Sequence, residues 1–157
     1  IQSLDLLGRK MTMKNGKAVQ LLTERIRETI EEASTHDELK PYAEKLAAKL
    51  SDNQRVFQHL LQFAMKGDYE TFLADATIFM EFASTIVVGW QWLKQATVAK
   101  KMLVTGKGDQ TEDFYESKIH TMKFYFKYEL PKTLAAAETL FNQERLTVTE
   151  EAKELIL

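Results

Sequence analysis

Apolar residues recur at helical spacing almost from one end of the chain to the other. Ile1, Leu4, Leu7 and Met11 follow one another at 3, 3 and 4 residues, so an apolar stripe is already running where the sequence opens. No Ser, Thr, Asp or Asn cap precedes it, and the opening reads as the end of an element that started earlier. Val19, Leu22, Ile26 and Ile30, spaced 3, 4 and 4, predict a helix from near Asn15 whose solvated face carries Glu24, Arg27, Glu28, Glu31 and Glu32. Asp37 is the candidate cap of the next helix, with Pro41 harmless inside its first turn. Its stripe of Leu39, Ala43, Leu46 and Leu50 resumes at Phe57, Leu60, Leu61 and Ala64. The intervening SDNQ at 51–54 is either a local break or an exposed turn, and the spacing favours one helix over 38–66.

Gly67 supplies a stop and Asp68 the following cap. Beyond them Phe72, Ala76, Phe79, Ala83, Ile86, Trp90, Leu93 and Thr97 repeat at 4-3-4-3-4-3-4, the seam of nearly aligned helices, and predict a third helix running to TGKGD at 105–109. Asp109 with Glu112 forms an acidic version of the capping box for a fourth. Its stripe is Tyr115, Ile119, Met122 and Phe126, then Leu134, Ala137 and Phe141 after a break that Pro131 imposes near Leu130. Thr147 with Glu150 repeats the capping signal ahead of EEAKELIL. The predicted architecture is all-α: an antiparallel up-down-up-down four-helix bundle with a short C-terminal helix. The third helix outruns the second, and FYFKY at 124–128 turns Phe124, Tyr125, Phe126 and Tyr128 in nearly all directions, so part of this surface is expected to meet a partner.

Composition narrows the function. The 157 residues suffice for one domain with one core. With 21 Lys+Arg against 23 Asp+Glu, the formal charge of −2 gives no reservoir of positive potential for nucleic acid. The absence of Cys removes disulfides, thiolate nucleophiles and Cys-ligated metals, and fits a cytoplasmic setting. No secretory signal is visible at the start. The stretch 72–93 is long enough to span a bilayer but contains Asp75 and Glu81, so it reads as a buried core helix, and membrane attachment through EEAKELIL is disfavoured by its shortness and single Lys.

Candidate chemistry is sparse. Glu-x-x-His pairs, which a bundle di-iron site needs, are missing at His36, His59 and His120, and no metal ligand set is assigned. Gly106 and Gly108 lack the spacing of a nucleotide fingerprint, and no Ser or Thr stands in a nucleophile elbow. Asp75 and Glu81 lie off the main seam and read as partly exposed or paired carboxylates rather than acid or base catalysts, with Lys118 and Lys123 as possible partners. Trp90 fits the seam; Trp92 points elsewhere and joins Phe124, Tyr125 and Tyr128 as an interface candidate. No catalytic residue emerges.

Four stretches carry a resemblance: IQSLDLLGRKM at the start, NGKAV opening the first predicted helix, ADATIFMEFASTIVVGWQWLKQA at 74–96 and DFYESKIHTMKFYFKYELPKTLA at 113–135. In order and spacing they resemble the extra C-terminal helical domain of one branch of bacterial acyl-CoA dehydrogenases. The resemblance implies that residues 1–14 are the tail of the preceding dehydrogenase helical domain and a linker, and that 15–157 are the bundle. It implies an FAD-dependent parent of the fatty-acid β-oxidation type. There, a glutamate removes the α-proton of an acyl-CoA thioester while the flavin accepts hydride from the β-carbon. In many members that glutamate precedes the segment where this sequence opens. Ile1 and Gln2 would then lie near the glutamate and flavin contacts, and Arg9 near the cofactor or a neighbouring subunit. The chain itself would be non-catalytic and hold no FAD. Its expected partners are its own dehydrogenase body and further copies in a homo-oligomer, with acyl-CoA the parent's substrate. The rival expectation is a free-standing helical module that binds a partner helix or peptide.

Overall fold

A computed structural model describes residues 1–142, 144 and 146–148, and among these residues there are helices and no strand. Helix α1 (Gln2–Asp5) widens into a π-type turn at Leu6–Lys10, where Met11 N–H donates to the Leu6 carbonyl at 3.0 Å. Leu7 is fully buried, whereas Ile1 is fully exposed and Leu4 is 46% exposed, so half of the opening stripe faces solvent. Helix α2 (Met13–Ser34) includes a left-handed joint at Lys14, Asn15 and Gly16, with φ of 51°, 56° and 73°, and its regular turns begin beyond it. That agrees with a start near Asn15.

Helix α3 (Lys40–Met65) is continuous through SDNQ, as the spacing favours, and carries Pro41 in its first turn. Gly67, at φ 81°, closes it, and Asp68 caps α4 (Tyr69–Ala74) by accepting the Thr71 N–H at 3.1 Å. The predicted third helix is broken: the chain leaves helical geometry at Asp75 (φ −105°, ψ 29°) and restarts as α5 (Ala76–Thr105). Aspartate competes poorly inside a helix and suits its start, and here its carbonyl accepts the Phe79 N–H at 3.0 Å. The buried seam runs on across the break, since Phe72, Ala76 and Phe79 are all buried.

Gly106 terminates α5 in the left-handed region at φ 64°. Helix α6 (Glu112–Tyr128) is capped by Thr111, whose hydroxyl accepts the Phe114 N–H at 3.3 Å; the expected cap, Asp109, instead accepts the Tyr115 hydroxyl at 3.3 Å. Pro131 breaks the chain as predicted, with a 3₁₀ turn at Leu130–Lys132 leading into α7 (Thr133–Phe141). Three residues at about 120° each rather than about 100° advance the helical phase by roughly 60°. Leu134, assigned to the stripe, is consequently 62% exposed, and Thr133 and Leu140 are buried instead. A smaller rotation affects α2, where Leu22 is 37% exposed while Thr29 and Ala33 are buried. Glu150 and EEAKELIL lie outside the described residues.

Helix α5 is the organising element, meeting α2, α3, α6 and α7. It buries the predicted seam and a second row, Phe82, Gly89, Ala96 and Ala99, on the side of α6. A Cβ on Gly89 would stand 3.3 Å from Leu130 Cδ1 and 3.5 Å from Tyr125 Cε1, so the missing side chain lets α6 and the 3₁₀ turn close on α5.

Candidate interaction surfaces

The strongest polar junction centres on Glu38 in the α2–α3 connection. Its carboxylate accepts from Lys100 Nζ of α5 at 2.7 Å and from Lys123 Nζ of α6 at 2.6 Å. These bonds, that from Lys100 first, hold the Glu38 carboxyl below the usual range, and Glu38 in turn raises the Lys123 ammonium. Lys123 thus pairs with neither Asp75 nor Glu81. Lys118 stands 4.7 Å from the Phe114 ring centroid. Asp75 is half-buried and Glu81 exposed, with no ion pair to either among the described residues. A second junction is buried: Trp90 Nε1 donates to Thr29 Oγ1 at 2.8 Å, joining α5 to α2.

The sequence-derived interface candidates divide by exposure. Phe124 and Tyr128 are 53% and 51% exposed, and their ring centroids lie 4.7 Å apart on one face of α6. Tyr125 is half-buried and donates its hydroxyl to the Thr85 carbonyl at 3.0 Å; burial raises its phenol above the ordinary value. Trp92 is half-buried against the core. Ile1 and Gln2 are exposed, and Arg9 makes a two-pronged pair with Asp5, Nη2 to Oδ2 at 3.1 Å. His36 is half-buried in the α2–α3 turn, His120 is exposed, and His59 is half-buried 5.3 Å from the Phe141 ring. No cluster of His, Asp and Glu suited to a metal occurs among the described residues, and none of their helices is long and apolar enough to cross a membrane.

One feature escaped the sequence reading. The outward face of α5 exposes Thr77, Glu81, Ser84, Val88, Gln91, Lys94, Gln95 and Val98, only two of them charged. Ordinary solvated helix faces are richer in charge. Hollows flank this face on both sides. One, of about 340 Å³, opens beside Val88 towards Leu22 of α2; the other, of about 330 Å³, runs past Gln95 to Phe114 and Lys118 of α6. The exposed residues recur at 4, 3, 4, 3 and 4 up to Gln95, so the signal was present as the complement of the buried seam.

The described residues form an all-helical domain organised on α5. A family profile described as "Acetyl-CoA dehydrogenase C-terminal like" matches residues 22–149, and the chain belongs to that family. It is also 28% identical over 151 residues to the broad-specificity linear acyl-CoA dehydrogenase FadE5 of Mycobacterium tuberculosis (strain ATCC 25618 / H37Rv). That match covers 90% of this chain and 24% of the relative, so the chain spans about a quarter of the length of the protein it matches.

Proposed function

We propose that this chain is the non-catalytic C-terminal domain of an FAD-dependent acyl-CoA dehydrogenase that introduces an α,β double bond into an acyl-CoA thioester. The observation that carries the proposal is the breadth of the match: nearly all of this chain against a quarter of a dehydrogenase. The base, flavin pocket and acyl cavity are assigned to the rest of the parent enzyme, with residues 1–14 as the tail and linker from it. The four long segments, α2, α3, α5 and α6 with α7, then form an antiparallel up-down-up-down bundle that packs on the dehydrogenase body and contributes to its oligomer. The parent is placed in the cytoplasm.

The residues around the hollow at the α5–α6 connection do not suit a flavin dinucleotide. That hollow, about 460 Å³, is bordered by Glu112 and Glu116 at the start of α6 and by Lys100, whose ammonium is already bonded to Glu38, and it adjoins the carbonyl end of α5, so little positive field is left for a pyrophosphate. Phe124 and Tyr128 are the body-facing contacts, because an adjoining, half-exposed aromatic pair gains most from being covered.

Titrating FAD into the 157-residue chain tests the division of labour. No stoichiometric binding is expected; tight binding with bleaching on addition of acyl-CoA overturns the proposal. In the full-length enzyme, Phe124→Ser with Tyr128→Ser should loosen the domain, read as earlier proteolytic release of the C-terminal quarter with the flavin spectrum unchanged. Several hundred in-frame codons of dehydrogenase pattern ahead of Ile1 support the parent enzyme over a free-standing module.

A further inference from the structure

We propose that the outward face of α5 binds a second copy of this chain in an antiparallel, two-fold arrangement centred on Val88. The inference deepens the oligomerisation named above and rests on that reading only for its setting in a larger enzyme.

The argument starts from what the face presents. Its middle is small and apolar: Val88, 42% exposed, stands beside Leu22, 37% exposed, at the edge of the 340 Å³ hollow. Its charged groups are Glu81, whose carboxylate has no cation partner among the described residues, and Lys94, which lines the hollow shared with α6 and whose ammonium lies 5.7 Å from the Trp90 ring centroid. Glu81 lies seven residues before Val88, and Gln95 lies seven after it. Two-fold antiparallel packing about Val88 therefore sets Glu81 of one copy opposite Gln95 of the other, about 10 Å from the axis on each side.

Gln95 shares its groove with Lys94 and with Lys118 of α6, whose ammonium lies 4.7 Å from the Phe114 ring centroid. The symmetric approach thus brings a carboxylate and an ammonium together, neither of which has an ion-pair partner among the described residues, and does so twice. Within one copy the two cannot meet, since fourteen helical residues separate Glu81 from the level of Gln95, about 21 Å along the axis. Apolar contact at the centre with opposite charges at the rim is the usual anatomy of a specific interface. A parallel arrangement would instead align Glu81 with Glu81.

The test is the oligomeric state of the 157-residue chain, measured by sedimentation equilibrium across a concentration series. A monomer–dimer equilibrium that weakens with added salt is expected. Val88→Arg should weaken dimerisation at least tenfold. Glu81→Lys and Lys118→Glu should each weaken it by about two- to thirtyfold, because symmetry makes two pairs of modest individual strength. The double variant Glu81→Lys with Lys118→Glu should recover most of the loss. All three positions are at least partly exposed, and circular dichroism checks that each variant is folded. A chain that stays monomeric at the highest concentration overturns the proposal. So does a dimer indifferent to Val88→Arg, or a charge swap that fails to rescue. None of these outcomes touches the flavin titration, which judges the parent-enzyme reading separately.

Discussion

Thr29→Val removes the acceptor of the buried Trp90 bond while keeping the shape of the side chain. Thr29 and Trp90 are 6% and 9% exposed, so water cannot readily replace the lost partner. Leaving the indole N–H unsatisfied costs about 1–3 kcal/mol, and burying a methyl in place of the hydroxyl returns about 0.8 kcal/mol. The Thr29 hydroxyl also donates to the Arg25 carbonyl at 3.2 Å, but that carbonyl keeps its helical N–H, so little is lost there. The net expectation is a destabilisation of about 1–2 kcal/mol, or several degrees in Tm for a chain of this size. Phenylalanine at 90 has no N–H to orphan. In a Trp90→Phe background the same Thr29→Val change should be neutral or slightly stabilising, giving a coupling of about 1–3 kcal/mol in a double-mutant cycle. Urea unfolding followed by far-UV circular dichroism measures all four corners without relying on the altered tryptophan. A coupling below about 0.3 kcal/mol refutes the claim that this hydrogen bond ties α2 to α5.

Two further outcomes follow from the junctions described. Because Lys100 and Lys123 depress the Glu38 carboxyl, its contribution is complete above the unfolded value near pH 4.3 and is lost as pH falls through the lower folded value. The Tm advantage of the wild type over Glu38→Gln should therefore shrink between about pH 5 and about pH 2, and a constant gap refutes the assignment. Thr111→Ala should cost about 1 kcal/mol in chemical denaturation by uncapping α6, and an unchanged midpoint contradicts Thr111 as the cap.

Helix positions were legible wherever a single local cause sets them. Gly67 and Gly106 stop helices because they take up left-handed geometry, and Pro131 breaks one because it cannot donate. The break at Asp75 was hidden because the apolar period is unchanged on either side of it, so the seam carries no trace of a discontinuity. Faces were harder than boundaries: the outward Leu134 and Leu22 depend on phase changes that periodicity assumes away. The Glu38 junction was invisible for another reason. Its partners lie 62 and 85 residues further along the chain, beyond the reach of any spacing rule. Of the candidate surface, the aromatic cluster was read directly, while the sparsely charged face of α5 required knowing which rows of that helix are covered.

The three-residue turn at Leu130–Lys132 uncouples the azimuth of α7 from that of α6. Each helix can be re-aimed without dragging the other, as two shafts joined by an indexing collar. Removing one residue from that collar would swing α7 by about 100°, carrying Leu134 into the buried position of Thr133 and Leu140 to the exposed position of Thr139, while leaving the α5–α6 contact undisturbed.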